Sequence, residues 1–312
     1  MKFMFASPPV DEEAIRLEIE KYINFDGLDT KMLQKIHNEK GVNHASVYVR
    51  ESIGKCSENR TFLDEIEAAE PFAKSHFDML VIPTMFYKQH PEIGGNGDLF
   101  VNIAKRLGIH CETVPVKSLG SISENAAIIR EYFEKRQCSK PLWVLSMSKG
   151  TADFKRAYLN ELSDEQRKSV QGILNVSGMQ GGTLLTSARK GRRLKHLLVK
   201  SWLKLRGANI DLLKEMHKSH LYSQSSFKQD EKLEIVNVLA LPLLCHLRKP
   251  LIKSYEYLSQ FGPNDGYILT EDALLPTKKN ILFWGADHYL RVPEMNVRAE
   301  QILNWINGRA AL

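Results

Sequence analysis

The chain has 312 residues, of which 43% are hydrophobic and 26% charged, as expected of a globular protein with a large buried core. It contains no run of about 18 apolar residues, so no membrane-spanning helix is expected. The net charge of +6 is too small to indicate a partner unless it is concentrated locally. The first residues meet Pro8, Pro9 and an acidic cluster too early for a signal-peptide core, which predicts a cytoplasmic protein. The four scattered cysteines show no metal-ligand spacing, and we expect reduced thiols.

Residues 1–76 show helical periods and no strand pattern. One helix is predicted to open at residues 11–13, a second to be capped by Asp29 or Thr30 and to stop near Gly41, and a third to run roughly over 61–69. No motif in this segment carries chemistry. We therefore predict an N-terminal helical extension that packs on the main domain.

From residue 77 onward, apolar strand patterns alternate with helical ones. Strands are predicted at 78–87, 110–116, 142–146, 170–176, 234–243 and 280–285, and a closing helix at about 293–306. This alternation is typical of a mostly parallel sheet with helices on both faces. It pauses over about 178–233, where a leucine-rich, basic helical pattern predicts a cap or lid. We therefore predict one α/β domain over 77–312 that carries this cap insert.

The strand predicted at 142–146 ends in Ser146-Met147-Ser148-Lys149-Gly150, just before a helical pattern begins. This is the G-x-S-x-G nucleophile elbow with its first glycine replaced by Ser146. Small residues two before and two after Ser148 let the strand and helix approach, and the helix N-terminus directs N–H groups at a developing oxyanion. A serine in an ordinary strand-to-helix loop is the alternative. A phosphate-binding loop fits worse, because Lys149 precedes Gly150 instead of following a glycine.

A nucleophilic serine needs a base, and the base needs a carboxylate to orient it. His288 directly follows the strand predicted at 280–285 and is the expected base, with His246, just beyond the strand predicted at 234–243, as its rival. Asp265 lies in the tight turn Pro263-Asn264-Asp265-Gly266 and is the expected acid, although turn formation alone also explains these residue types. The competing carboxylates are Glu271, Asp272 and, ranked last, Asp287, which adjoins the base.

Four stretches resemble the α/β-hydrolase superfamily, in particular its lipase-like and esterase-like members: 83–86 (PTMF), 146–150 (SMSKG), 263–266 (PNDG) and 285–288 (GADH). The resemblance covers roughly 77–309. It implies a Ser-His-Asp triad, a covalent acyl intermediate, no cofactor, and an oxyanion hole formed by the backbone N–H groups of Lys149 and Met85. The departures from the pattern are Ser146 and Thr84, each standing where a glycine is usual.

The cap insert holds the local charge. Residues 189–218 carry ten Lys or Arg against Asp211 and Glu215, a local charge of +8. These basic side chains are either solvated or recruit an anionic membrane surface or the phosphates of an acyl carrier. Nucleic acid is disfavoured, because no aromatic interleaving accompanies the charge. The candidate contact residues are Arg192, Arg193, Lys195, Lys200 and Lys204.

Three functional hypotheses follow. The first is a serine hydrolase that cleaves a small-molecule or acyl-chain ester or thioester. The second is a lipase or phospholipase acting at an anionic membrane through the basic lid. The third is a hydrolase-like binding protein without catalysis, for which the imperfect elbow is the support.

Overall fold

The computed structural model describes residues 9–136, 140–186, 205–209, 211–217 and 232–311. Within them, six strands form a sheet in the order β2-β1-β3-β4-β5-β6, and all five strand pairings are parallel. The predicted mostly parallel sheet is therefore confirmed. The strands are β1 (Asp78–Ile82), β2 (Cys111–Thr113), β3 (Leu142–Met147), β4 (Val170–Val176), β5 (Glu234–Leu241) and β6 (Asn280–Trp284).

Helices cover both faces of this sheet. Helices α4, α5 and α12 pack on the face that carries Val81, Leu145 and Val238, whereas α6 and α7 pack on the face that carries Leu80 and Val144. The described helices are α1 (Glu12–Ile19), α2 (Thr30–Lys40), α3 (Val42–Lys55), α4 (Ser57–Glu67), α5 (Asp98–Arg106), α6 (Ile122–Lys135), α7 (Lys149–Asn160), α8 (Asp164–Ser169), α9 (Leu212–Glu215), α10 (Ile252–Leu258), α11 (Thr270–Ala273) and α12 (Glu294–Ala310).

Several predicted boundaries were wrong. The strand predicted over 78–87 ends at Ile82, because Pro83 has no N–H for the ladder and the chain then turns. The strand predicted over 110–116 is only three residues long. Helix α3 was missed, and the helix predicted from residue 61 begins at Ser57. The α3 sequence carries Val42, Val47 and Val49, whose β-branched side chains weaken a helical signal that burial of this helix overrides.

The N-terminal helices pack against the sheet. Ile15, Leu33 and Val49 from α1–α3 belong to the same buried cluster as Leu239 and Leu241 of β5. Helix α4 lies on the opposite face, in the cluster that contains β1 and β3. These helices therefore cover β5 and β6 and contribute to both faces of the sheet, while the division of the chain at residue 77 stays a prediction.

A ladder of buried polar side chains crosses four strands in register. Ser146, Asn175, Asn237 and Asn280 are paired neighbours on β3, β4, β5 and β6. The amide of Asn175 donates to Asn237 at 2.8 Å, and the amide of Asn237 donates to Asn280 at 2.9 Å. Asn237 also accepts from the backbone N–H of Leu275 at 3.2 Å and donates to its carbonyl at 3.0 Å. The ladder thus fixes the segment after α11 to the sheet.

Candidate active site

Ser148 lies at the bend between β3 and α7. Its backbone angles are φ 47° and ψ −117°, a region that residues other than glycine rarely adopt. The bend is held by three hydrogen bonds: the Ser148 N–H donates to Val176 O at 3.0 Å, and its carbonyl accepts from Thr151 at 3.1 Å and Met179 at 2.8 Å. The strained turn projects the serine beyond the strand, as a nucleophile elbow requires.

Positions 146 and 150 of the elbow meet different requirements. A Cβ at Gly150 would lie 2.4 Å from Ile82 O and 2.8 Å from Pro83 O, so this position has no room for a side chain beside the backbone of β1. Ser146 has room for its hydroxyl, which lies 3.0 Å from Thr151 Oγ1 at the edge of the buried ladder. Its replacement of the usual glycine is therefore compatible with the close approach of α7 to the sheet.

The structure brings Ser148, His288 and Asp265 together. Ser148 Oγ is 3.0 Å from His288 Nε2, and His288 Nδ1 is 2.7 Å from Asp265 Oδ2. A carboxylate only accepts hydrogen bonds, so Nδ1 carries the ring proton and Nε2 is left to accept from the serine hydroxyl. His288 and Asp265 side chains are only 8% and 4% exposed, so the hydrogen bond between these two is largely shielded from water.

Asp265 is held rigidly by its own turn. Its Oδ1 accepts from the N–H groups of Tyr267 at 2.9 Å and Ile268 at 2.8 Å, which leaves Oδ2 for the histidine. Its carbonyl accepts from the backbone N–H of His288 at 3.0 Å. Gly266 has φ +101°, a conformation that favours glycine. The turn therefore orients the carboxylate and fixes the start of the histidine loop.

The rival residues lie elsewhere. His246 Nδ1 accepts from Leu243 N–H at 3.1 Å and its Nε2 is 3.9 Å from Glu12, while burial lowers the pKa of the His246 ring. Asp287 caps its own turn and is 3.7 Å from Arg291. Neither of the two competitors on α11, Glu271 and Asp272, has a hydrogen bond to His288 in the described structure.

The two expected oxyanion donors border the site. Lys149 is the first residue of α7, directly after Ser148, and its N–H donates to Thr84 Oγ1 at 3.3 Å. Met85 lies in the loop after β1, and its N–H has no hydrogen-bond acceptor among the described residues. An unpaired N–H beside the nucleophile is what an oxyanion hole requires. The assignment of Met85 and Lys149 to that role stays a prediction.

Sequence reasoning missed that the Lys149 side chain is buried. Its ammonium lies 2.6 and 2.8 Å from the two carboxylate oxygens of Asp153, and both side chains are at most 2% exposed. Asn125 adds a hydrogen bond of 2.8 Å to the same carboxylate. Burial raises the pKa of Asp153 to about 6, and the Lys149 ammonium opposes that rise. The i, i+4 spacing of lysine and aspartate was the available signal, but it ordinarily marks an exposed pair.

A cavity of about 890 Å³ opens beside Ser148 and His288. This volume is at the upper end of the ~300–1,000 Å³ typical of small-molecule sites. Its lining is mostly apolar and joins two buried clusters: Phe100, Leu290 and Met295 belong to the cluster of α5 and α12, whereas Met179, Met216 and Ile268 belong to that of the N-terminal helices.

Two tyrosines stand beside the histidine. The ring centroids of Tyr267 and Tyr289 lie 5.1 and 5.9 Å from that of His288, and their hydroxyls are 3.0 Å apart. Burial, aided by the hydrogen bond to Tyr267, raises the pKa of Tyr289, so it is a neutral phenol. The two tyrosines therefore pack against the imidazole in near-perpendicular ring contacts.

Parts of the predicted cap are described. Glu215 accepts from the N–H and the hydroxyl of Ser123, both at 2.8 Å, which fixes α9 to the start of α6. Thr183 N–H donates to Met216 O at 3.0 Å. The basic residues proposed to contact an anionic partner lie outside the described residues: Arg192, Arg193, Lys195, Lys200 and Lys204.

Two kinds of feature are absent from the described residues. No helix among them has both the length and the apolar composition needed to cross a membrane. Over the same ranges, no group of three or more His, Cys, Asp or Glu side chains is arranged to hold a metal ion.

Comparison with known proteins places the chain by its fold. No protein-family model matches the sequence, and a search of curated proteins found no match. Among solved structures, it is similar to the metagenomic carboxyl esterase MGS0156, with a TM-score of 0.57 and 14% identity over 77% of this chain and 76% of the other. It is also similar to the Bacillus licheniformis lipase BlEst2 in its mature form, with a TM-score of 0.54 and 14% identity over 71% and 88% of the two chains. The resemblance predicted from sequence is thus confirmed at the level of architecture, and this chain has the α/β-hydrolase fold.

Proposed function

We propose that this chain is a serine hydrolase that cleaves a carboxylic ester or thioester through an acyl-enzyme intermediate. The observation that carries the proposal is the hydrogen-bonded relay, with 3.0 Å from Ser148 Oγ to His288 Nε2 and 2.7 Å from His288 Nδ1 to Asp265 Oδ2. A fold shared with a carboxyl esterase and a lipase supports the same class of reaction.

In this reaction Ser148 Oγ bonds to the substrate carbonyl carbon while His288 Nε2 takes the serine proton. The carbonyl π electrons move to the oxygen, whose charge the Lys149 and Met85 N–H groups stabilise. Collapse of the tetrahedral intermediate breaks the bond to the leaving group, which takes the proton from His288. Water then adds to the acyl-enzyme carbonyl while His288 takes a proton from the water. The bond between the carbonyl carbon and Ser148 Oγ breaks, Ser148 Oγ takes the proton from His288, and the acid is released. Asp265 Oδ2 holds the imidazole through its hydrogen bond to Nδ1.

A fluorophosphonate probe tests the nucleophile directly. We expect wild type to be labelled on Ser148 and Ser148→Ala to remain unlabelled. Asp265→Asn should still fold but hydrolyse p-nitrophenyl esters roughly 10⁴-fold more slowly, because the wrong histidine tautomer is then favoured. Unlabelled wild type without ester turnover would instead favour the hydrolase-like binding protein.

The cavity favours substrates with a hydrocarbon chain. Apolar side chains from both flanking clusters surround the reacting groups over about 890 Å³. Five of the described lining residues are methionines, whose flexible side chains adapt to a flexible acyl chain. The lining methionines are Met85, Met147, Met179, Met216 and Met295. We therefore expect p-nitrophenyl esters of medium or long acyl chains to be hydrolysed with higher kcat/KM than the acetate.

The local charge of +8 over residues 189–218 favours a second candidate, a lipase or phospholipase at an anionic surface. Cosedimentation with phosphatidylglycerol vesicles tests it. Binding that falls between about 50 mM and 500 mM salt supports the lipase, because salt screens surface charge. Absence of binding favours soluble acyl esters or thioesters. Lys200→Glu combined with Lys204→Glu is the charge-reversed comparison.

A further inference from the structure

Thr84 stands in the loop after β1, beside Met85, and lines the cavity. Its backbone N–H donates to Gly95 O at 3.0 Å and is therefore not available to a substrate. Its side-chain oxygen, however, accepts from the N–H of Lys149 at 3.3 Å, on the first residue of α7. Thr84 thus reaches the site through its hydroxyl and not through its amide.

Packing against Gly95 fixes the direction of that hydroxyl. A Cβ built on Gly95 would lie only 2.6 Å from Thr84 Cγ2, so the threonine methyl occupies the space that a side chain at position 95 would need. Cγ2 and Oγ1 are both bonded to Cβ, and χ1 of threonine is restricted to staggered rotamers. The packing that fixes the position of the methyl group therefore also fixes the position of Oγ1. The hydroxyl hydrogen has no acceptor among the described residues, which leaves it available to a ligand in the cavity.

We propose that the Thr84 hydroxyl is a third donor to the oxyanion, beside the N–H groups of Lys149 and Met85. This inference rests on the proposed function. In the resting enzyme the hydroxyl oxygen occupies the direction in which Lys149 N–H points. The bond of 3.3 Å is longer than a normal N–H···O bond, and a charged oxyanion is the stronger acceptor. The oxyanion therefore takes over most of the Lys149 N–H hydrogen bond while the hydroxyl oxygen stays in place, and the hydroxyl turns its hydrogen toward the oxyanion.

Phosphonylation of Ser148 tests this proposal without knowledge of the substrate. A fluorophosphonate forms a bond between Ser148 Oγ and phosphorus, fluoride leaves as the P–F bond breaks, and His288 takes the serine proton. The phosphoryl oxygen gains charge in the transition state, as the carbonyl oxygen of an ester does. Thr84→Val keeps the shape but lacks the hydroxyl, and its labelling rate is expected to fall roughly 10²-fold. Thr84→Ser keeps the hydroxyl, and its rate is expected to fall less than about tenfold. Equal losses in both variants, or no loss in Thr84→Val, would overturn the proposal.

Gly95 provides a second test, because the packing of the Thr84 methyl group against it is what fixes the position of the hydroxyl. In Gly95→Ala the new methyl collides with Thr84 Cγ2 and turns the hydroxyl away, so labelling is expected to slow by about tenfold or more. A serine at position 84 has no Cγ2, so Gly95→Ala in the Thr84→Ser background is expected to change the rate less than about twofold. Such a non-additive pair is what two residues in contact give. An equal loss of labelling rate with threonine and with serine at position 84 would show that contact with Gly95 does not fix the Thr84 hydroxyl.

A boronic acid inhibitor separates a catalytic from a merely structural effect. An alkyl boronic acid forms a tetrahedral adduct with Ser148 that places one oxygen in the oxyanion hole. In Thr84→Val its inhibition constant is expected to rise by the factor by which kcat/KM for a p-nitrophenyl ester falls, with KM nearly unchanged. A rise in KM alone would indicate disturbed substrate packing and overturn the donor role. Failure to label wild type at Ser148 would refute the proposed function, whereas a labelled wild type with an unaffected Thr84→Val refutes only the role of Thr84.

Discussion

Replacing Asn237 by leucine tests whether the asparagine ladder stabilises the sheet. The change removes the acceptor of one Asn175 amide hydrogen and of Leu275 N–H, and the donor to the Asn280 side-chain oxygen and to the Leu275 carbonyl. All four groups are on buried residues, and each loses the partner that Asn237 supplies. At ~1–3 kcal/mol for each orphaned group, the free energy of unfolding is expected to fall by about 4–12 kcal/mol. A protein of ordinary stability, ~5–15 kcal/mol, would lose a large share of it.

Urea unfolding followed by tryptophan fluorescence measures this loss, and thermal unfolding is expected to show a Tm lower by roughly 8–24 °C, at about 2 °C per kcal/mol. Asn38→Leu is the matched control, because Asn38 is exposed on α2 and its replacement should change the free energy of unfolding by less than about 0.5 kcal/mol. If the Tm of Asn237→Leu lies within 2 °C of that of wild type, the hydrogen bonds of Asn237 do not contribute the expected free energy of unfolding.

Three further changes probe the site. Gly150→Ala forces a methyl to within 2.4 Å of a backbone oxygen of β1 and is expected to slow fluorophosphonate labelling roughly 10²-fold. Gly54→Ala, where a Cβ meets nothing within 4 Å, should label at the wild-type rate; equal rates in the two variants would contradict this account. Lys149→Met leaves the Asp153 carboxylate buried without its cation and should cost about 3–5 kcal/mol in urea unfolding, most of which the double variant with Asp153→Leu recovers. Met295→Trp fills part of the cavity and should shift the kcat/KM profile of p-nitrophenyl esters toward short acyl chains; an unchanged profile would place the acyl chain elsewhere.

The sequence determined what depends on neighbouring residues. Asp11, Asp29 and Ser121 cap α1, α2 and α6, since a cap needs a short polar side chain within three residues of the N–H it accepts. The elbow around Ser148 could be predicted from the sequence, because the close approach of strand and helix requires small residues at fixed spacing. Alternating strand and helix patterns were sufficient to predict the parallel sheet. The resemblance of four short stretches to the α/β-hydrolase superfamily then predicted the fold.

Tertiary structure decided every feature that joins distant parts of the chain. Four carboxylates were candidates for the partner of His288. In the structure Asp265 is the one within hydrogen-bond distance of the ring, and two N–H groups of its own turn hold it there. The contact between Thr84 and Lys149 spans 65 residues, and the Asp153 carboxylate that binds the buried Lys149 ammonium also accepts a hydrogen bond from Asn125 of α6. The physical reason is that local sequence sets backbone conformation and periodicity, whereas burial and hydrogen-bond partners are set by packing between elements that sequence alone does not bring together.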